Sequence, residues 1–388
     1  MALIINKNSR VLLARLTRTI HPVGQGAFYT EVFAYGEDKT FTMVYDCGTE
    51  TATADLKIPL ERQIDDFKKG IKQIDLLFIS HLHKDHISGI DRLLDGIKVC
   101  KTIIPMLPEE VVTLARVQNF LHYGQDAEGA DRVITELYLS NQRSGRFGQV
   151  VAIEPFDYSD YRGSITIRGN GNRERNLHPI TGIDEKYWEY IPFNSVACKD
   201  KRAIEFCDKL KNIQGIYDAD GALNTTKIIR GCRTKVRTLY QSVMKNQDDN
   251  LYTMAVESRP VKNVFPDSNA NTLRRVHCLY TGDLDLNVKD KGVLLSRFNS
   301  LIDYTQIGTV QVPHHGSKLN WRDDFLNGEP RAFFVSAGST NTYHHPDYWV
   351  MRKIKANKNM LYVVSEEANS EHVDKFGLFY EDIVDEDS

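Results

Sequence analysis

Three histidines and an aspartate, His81, His83, Asp85 and His86, fall within six consecutive positions just after the apolar run 74–79. Imidazole nitrogens and carboxylate oxygens packed this closely are ligand types for divalent cations. The apolar run reads as a buried strand, and the chain just past its end stays extended, so His81 and His83, two apart, project to one side and can share one ion. Asp85 and His86 come where a helix begins, with Ile87, Ile90, Leu93 and Leu94 as its apolar stripe. They are thereby re-aimed at a second, nearby position, and the spacing calls for two metals. A helix N-cap with a neighbouring histidine would account for one of these residues and leave the others unexplained.

The remaining chemistry-bearing residues also sit at the ends of strand-like segments. Strands at 29–35 and 41–45, joined by a turn at 36–39, lead into Asp46-Cys47-Gly48, one helix (56–70) and one strand ahead of the histidine cluster. A strand over 274–280 ends in Thr281-Gly282-Asp283, and a strand from Thr309 delivers His314 and His315, followed by Gly316, Ser317 and Lys318. One of the two adjacent histidines should be the last ligand of the second metal, and spacing does not choose between them. After the strand 333–336, a loop presents Asn341 and, ahead of Pro346, His345.

The chain has 388 residues and 41% hydrophobic content, enough for a large core as one domain, 1–388, with or without an insertion. Its apolar runs fall far short of the ~20 residues of a membrane span, and residues 1–18 hold Asn, Ser and Arg without a cleavable apolar core. A cytoplasmic protein without membrane contact is expected. The six cysteines show no CxxC spacing, which fits reduced thiols. Net charge is −3, yet residues 161–245 carry 16 Lys and Arg against 9 Asp and Glu. Over 169–246 the strand pattern is lost and helices are expected at 199–214 and 224–244. This stretch reads as a basic, mainly helical insertion able to hold a polyanion near the site, or a protein partner.

Taken together, Val23-Gly-Gln-Gly26, Asp46-x-Gly48, Ser80-His-Leu-His-Lys-Asp-His-Ile-Ser-Gly89, Asn250-x-x-Thr253, Thr281-Gly-Asp283, Val312-Pro-His-His-Gly-Ser317 and Ser336-x-Gly-x-x-Asn341-x-Tyr-x-His-Pro346 form a recognisable series. It resembles the metallo-β-lactamase fold hydrolases, and within them the hydrolase domain of ComEC and its soluble relatives. The resemblance implies an α/β, four-layer αββα sandwich with a dinuclear site at one edge and phosphodiester hydrolysis, most readily as a nuclease. It implies metal ligands His81, His83, Asp85, His86, Asp283 as the bridge, and His314 or His315. Asp46 and Asn250 would support them from behind. Many fold members add a histidine to the first metal, and the candidates here, His178 and His277, sit in no recognisable motif. With Asn250 or Asp248 near that place, the first site is oxygen-rich, favouring Mn²⁺ or Mg²⁺ as well as Zn²⁺.

The implied reaction is attack of metal-activated water on phosphorus, with Asp85 and Asp283 orienting it, His345 protonating the leaving oxygen, and Asn341, Ser317 and Lys318 contacting phosphate. A small cyclic or linear nucleotide is the alternative substrate. A non-catalytic scaffold that retains the fold is the alternative from another class.

Overall fold

The computed structural model describes residues 10–52, 54–55, 57–140, 145–155, 172–175, 178–183, 187–195, 200–244, 252–261, 264–266, 275–287, 304–326 and 331–381. The described strands form two sheets. The first sheet contains β1 (Arg10–Ile20), β2 (Gly26–Tyr35), β3 (Lys39–Thr49), β4 (Ile74–Phe78), β5 (Val99–Pro105), β6 (Gln149–Ile153), β7 (Asn172–Glu174), β11 (Val264–Pro266) and β16 (His372–Glu381), in the order β11-β16-β1-β2-β3-β4-β5-β6-β7. The second contains β8 (Ile180–Thr181), β9 (Trp188–Asn194), β10 (Met254–Pro260), β12 (Cys278–Tyr280), β13 (Thr309–Gln311), β14 (Ala332–Ser336) and β15 (Met360–Val364), in the order β15-β14-β13-β12-β10-β9-β8.

Three apolar clusters mark the three interfaces of a four-layer sandwich. Between the sheets lie Leu16, Tyr29, Phe33, Tyr45, Phe78, Tyr190, Tyr280 and Phe334, all buried. Alternate residues of the same strands, Val44, Leu77 and Ile79, turn outward onto helices α1 (Leu60–Lys69), α3 (Ile90–Leu94), α4 (Glu109–Tyr123) and α5 (Glu128–Ile134). On the far side, Leu279, Val310, Phe333 and Val335 face Val350 and Ile354 of α9 (Tyr348–Ala356). Because β4 is covered on both faces, it is apolar but for Asp75 near its start, as a central parallel strand tends to be. Each fully buried aromatic among these contributes roughly 1.5–3 kcal/mol. The expected α/β αββα architecture is the one observed.

In the 169–246 stretch, helices α6 (Lys201–Leu210), α7 (Thr225–Arg230) and α8 (Arg233–Met244) pack with α4 through Phe206, Leu210, Ile228 and Val236. The expected loss of strands there is corrected: β7, β8 and β9 precede the helices, and β9 pairs antiparallel with β10 along Asn194 to Trp188. The second expected helix is broken at Gly231-Cys232, between α7 and α8.

Parallel pairing in β3-β4-β5-β6 and in β12-β13-β14-β15 leaves the carboxyl ends of both sets at one edge of the sandwich. Ligand sites of open α/β sheets lie at such ends. Asp46 lies within β3 just past its last parallel pair with β4, and His81 to His86, Asp283, His314, His315 and the loop with His345 all follow these strand ends. Among the described residues, no helix is long and apolar enough to cross a membrane.

Candidate metal centre

The short helix α2 (Lys84–Ile87) carries Asp85 and His86 and lies directly on the end of β3. Gly48 makes this approach possible, because a Cβ there would meet the backbone of Asp85, His86 and Ile87 at 2.7 Å. On the opposite side, Gly316 has φ +81° and no room for a Cβ beside Pro346, so the loop of His314 and His315 fits against the loop of His345. Asp46, His314 and His315 all hold left-handed backbone, with φ of 58°, 49° and 53°. Non-glycine residues in that region are strained, and such strain concentrates at functional sites.

Hydrogen bonds behind the histidines fix which ring nitrogen faces inward. The buried Asp46 carboxylate accepts from the backbone N–H of Ser80 at 2.7 Å, from Ser80 Oγ at 2.6 Å, and from His86 Nδ1 at 2.7 Å. With the Ser80 hydroxyl proton committed to Asp46, Ser80 Oγ accepts from His81 Nδ1 at 2.8 Å. His315 Nδ1 donates to the carbonyl of Ser336 at 2.8 Å, and His314 Nδ1 lies 2.8 Å from Asn320 Oδ1. Each of these four rings therefore turns its Nε2 inward. His83 is the reverse: its Nε2 meets Gln118 Oε1 at 3.1 Å, leaving Nδ1 as its ligand atom.

Those inward nitrogens converge on two carboxylates. His86 Nε2 is 3.3 Å and His315 Nε2 3.8 Å from Asp283 Oδ1, while His81 Nε2 is 3.5 Å and His314 Nε2 3.7 Å from Asp283 Oδ2. Asp85 Oδ2 lies 3.0 Å from His315 Nε2 and 3.5 Å from His86 Nε2. Asp85, His86, Asp283 and His315 form one group whose ligand atoms are all within 4.8 Å, and His81, His83 and Asp85 form a second.

The buried Nε2 atoms of His81 and His86 have no hydrogen-bond partner. A buried ring nitrogen facing a carboxylate oxygen without a hydrogen bond is costly unless a proton or a metal cation stands between them. The donor set therefore fits divalent metal: His86, His315, Asp85 and Asp283 Oδ1 could hold one ion, and His81, His83 and Asp85 a second, with Asp283 Oδ2 3.5 Å from His81 Nε2.

The electrostatics agree with this reading. Burial pushes the Asp85 and Asp283 pKa values up, but the surrounding histidines more than offset it and hold both carboxyls below their usual range. Burial pushes His86 down, yet Asp85, Asp283 and Asp46 together hold it well above the ordinary imidazole value, so this carboxylate-rich position attracts positive charge, and an ion on Nε2 would take the place of a proton. His83, buried beside His81, is lowered to about 3, so it stays a neutral ligand at any physiological pH.

Of the other expected site residues, His345 stands beside this centre, its ring 5.6 Å from that of His314 and stacked on Tyr343. Asn341 uses its amide on the loop itself, donating to the carbonyls of Gly338 and of His345 and accepting from the His345 N–H at 2.9 Å. It thus holds His345 in place, in contrast to the expected free phosphate contact. Ser317 is buried and Lys318 exposed at the rim. Asn250 and Asp248 lie outside the described residues. His178 is paired with Glu174, and His277 faces Glu257 at the opposite end of β12 from Asp283, so neither joins the cluster.

Several neighbours carry no motif. Gln118 orients His83, and Asn119 donates to the Leu82 carbonyl and accepts from the Lys84 N–H. Their signal was a polar pair inside the apolar stripe of α4. Glu50 accepts from Tyr123 at 2.6 Å, and both burial and the Asp85 charge raise its pKa. Lys84 Nζ sits 4.8 Å from the Tyr123 ring centre. An apolar crevice of Leu82, Leu107, Val111, Ala115 and Tyr252 backs His81 and His83.

A His/Asp cluster at the carboxyl edge of an αββα sandwich could hold divalent metal, an arrangement of the kind that metal-dependent hydrolases use. Residues 27–156 match the family model described as "Metallo-beta-lactamase superfamily", whose members are generally hydrolytic metalloenzymes. Comparison with curated proteins gives no match. Among solved structures the chain is similar to the metallo-beta-lactamase fold protein YhfI from Bacillus subtilis, at 9% identity over 93% of this chain and 99% of that one, with a TM-score of 0.37. It is similar to a long form RNase Z from yeast at 12% identity over 83% of this chain and 36% of that one, TM-score 0.36. A diphosphatase of the PhnP family matches at 10% identity over 91% of this chain and 86% of that one, TM-score 0.31.

Proposed function

We propose that this chain is a metal-dependent phosphodiester hydrolase of the ComEC-like kind, acting as a nuclease. The observation that carries the reading is the division of inward-facing nitrogens between the two oxygens of Asp283, 3.3 Å from His86 on one side and 3.5 Å from His81 on the other. Zinc or manganese, with magnesium as a third choice, would supply there a Lewis acid for the phosphoryl oxygen and acidify water near neutral pH. Asp85, kept anionic despite burial, accepts the proton of the attacking water as its oxygen bonds to phosphorus. The bond from phosphorus to the leaving oxygen breaks, and the His345 ring, held by Asn341 and Tyr343, gives that oxygen its proton. Lys318 and Lys84 offset phosphate charge at the rim.

Residues 169–246 are read as an insertion in one domain that spans the chain. Lys209 and Lys211 pair with Glu205 and Asp208 of their own helix, so their charges are compensated locally. Arg233 and Arg237 instead donate to the Leu121 carbonyl at the end of α4, one residue from His122 and two from Tyr123. These arginines are the better candidates for holding a long polyanion; a protein partner is the other occupant that this segment would suit.

Purified protein loaded in turn with Mn²⁺ and Zn²⁺ should cleave at least one of DNA, RNA and bis(4-nitrophenyl) phosphate, and Asp85→Ala should abolish it. A metal-loaded chain inert to all three overturns the reading. A metal content well below one per chain supports the scaffold.

A further inference from the structure

Among the described residues, the large hydrophobic side chains that stand exposed are Ile204, Leu319, Tyr343, Tyr348, Met360, Val363 and Val373. Both aromatics of this set, and Leu319, belong to the two segments that flank the metal centre: Leu319 follows His314 and His315, and Tyr343 and Tyr348 bracket His345. They are 73%, 53% and 71% exposed respectively. Tyr343 is stacked on His345 at 5.7 Å between ring centres, His345 lies 5.6 Å from His314, and His314 Nε2 is 3.7 Å from Asp283 Oδ2. A continuous path of rings thus runs from the bridging carboxylate to the surface.

Cations accompany it. Lys318 Nζ is 5.5 Å and Lys353 Nζ 4.9 Å from the ring centre of Trp349, the residue after Tyr348. Lys353 also pairs with Asp323, whereas Lys318 sits beside Leu319 on the loop of the metal-ligand histidines. Exposed aromatic rings interleaved with lysines are the chemistry of a surface on which bases stack while phosphates pass over positive charge. Bases of an intact duplex are stacked on one another and cannot reach such rings.

Building on the phosphodiesterase reading, we propose that this rim seats unpaired bases of single-stranded nucleic acid, with Tyr343 and Tyr348 as stacking surfaces and Lys318 as a phosphate contact. The strand's backbone is thereby led over Asp283. Single strands, frayed ends and loops are preferred to blunt duplex, with little dependence on base identity, because every base has a π-face.

The test is fluorescence anisotropy with the full-length chain, carrying Asp85→Asn so that the probe survives, and a fluorescein-labelled oligothymidylate beside a blunt hairpin duplex of equal length. The single strand should bind more tightly than the duplex. Tyr348→Ala should weaken single-strand binding by about 5- to 100-fold, the range for one lost base–ring stack, and Tyr348→Phe should restore it, with unchanged thermal stability in both. Equal or tighter duplex binding, or Tyr343→Ala and Tyr348→Ala variants that bind the single strand as before, overturns the proposal. Hydrolysis of bis(4-nitrophenyl) phosphate by the wild type separates the two claims. If the diester is cleaved and the tyrosines prove irrelevant, only the stacking rim fails. If the tyrosines control binding and nothing is cleaved, the rim stands and the hydrolase reading fails.

Discussion

Two clusters of buried charge lie in this molecule, and they are built on opposite terms. Between the sheets, Glu31 accepts from Arg18 Nε at 2.8 Å, Tyr280 at 3.0 Å, Tyr190 at 3.0 Å and Ser258 at 2.7 Å, while Arg18 also donates to the carbonyls of Arg275 and Val276. Every lone pair that faces inward has a donor. At the edge of the sandwich, by contrast, the Nε2 atoms of His81 and His86 face the carboxylate of Asp283 without a hydrogen-bond partner. The first cluster is complete as protein; the second is a set of donor atoms that could hold metal. A buried polar group that is fully hydrogen-bonded ties layers together, whereas convergent acceptors describe a ligand.

Breaking each cluster in turn should separate these roles. Asp283→Asn is expected to lower kcat/KM for a diester by about 10⁴-fold, ~5 kcal/mol, and to reduce bound metal as read by mass spectrometry, without destabilising the metal-free protein. Wild-type metal content in that variant would dismantle the contrast. Glu31→Gln should do the reverse, costing about 3–5 kcal/mol because Arg18 is left buried without its counter-charge. Urea denaturation followed by circular dichroism would read it, and activity per folded molecule should stay near wild type. Asp46→Asn acts on the layer behind the ligands and should weaken metal binding about 10- to 100-fold, measured by competition with a chromophoric chelator.

A further effect, read in stability rather than in metal, concerns two buried histidines whose surroundings act in opposite directions. Three carboxylates raise His86, whereas burial alone lowers His21, stacked 4.0 Å from Phe28, to about 3. Above about pH 6.5 His21 is neutral whether folded or unfolded and has no effect on stability. As pH falls below that value the unfolded chain takes up a proton that the folded chain refuses, so stability drops by about 1.4 kcal/mol per pH unit until the folded value is reached. His21→Gln should flatten the melting temperature between pH 6.5 and 4.5, and an unchanged slope would show that other groups govern it.

Much of this arrangement is legible in the sequence, for a physical reason. Parallel strands at the centre of a sandwich are covered on both faces, so they appear as apolar runs, and the candidate ligands come at or just past the ends of those runs. Asp46, His81 to His86, Asp283, His314 and His315 could thus be placed without coordinates. Trp188–Asn194 could not: Pro192 and Glu189 interrupt its pattern, and only pairing with β10 makes a strand of it. The partition of His314 and His315 also escapes sequence. Adjacent residues in an extended chain would point apart, but left-handed backbone at both sends them to different oxygens of the same carboxylate. Glu50 and Tyr123 reach the site only through tertiary packing, which has no local signature, whereas Gln118 shows only as a polar residue within the apolar stripe of α4.

The hydroxyl of Ser80 has a consequence of its own. It bridges Asp46, at 2.6 Å, and the His81 ring, at 2.8 Å, while Asp46 also holds His86, so one ligand from each of the two candidate ion positions hangs from the same small group of atoms. An ion that settles on either ring pins that ring in place and, through the shared oxygen, orders the other ring. The two positions should therefore fill cooperatively, and Ser80→Ala should turn a steep filling curve into two independent steps.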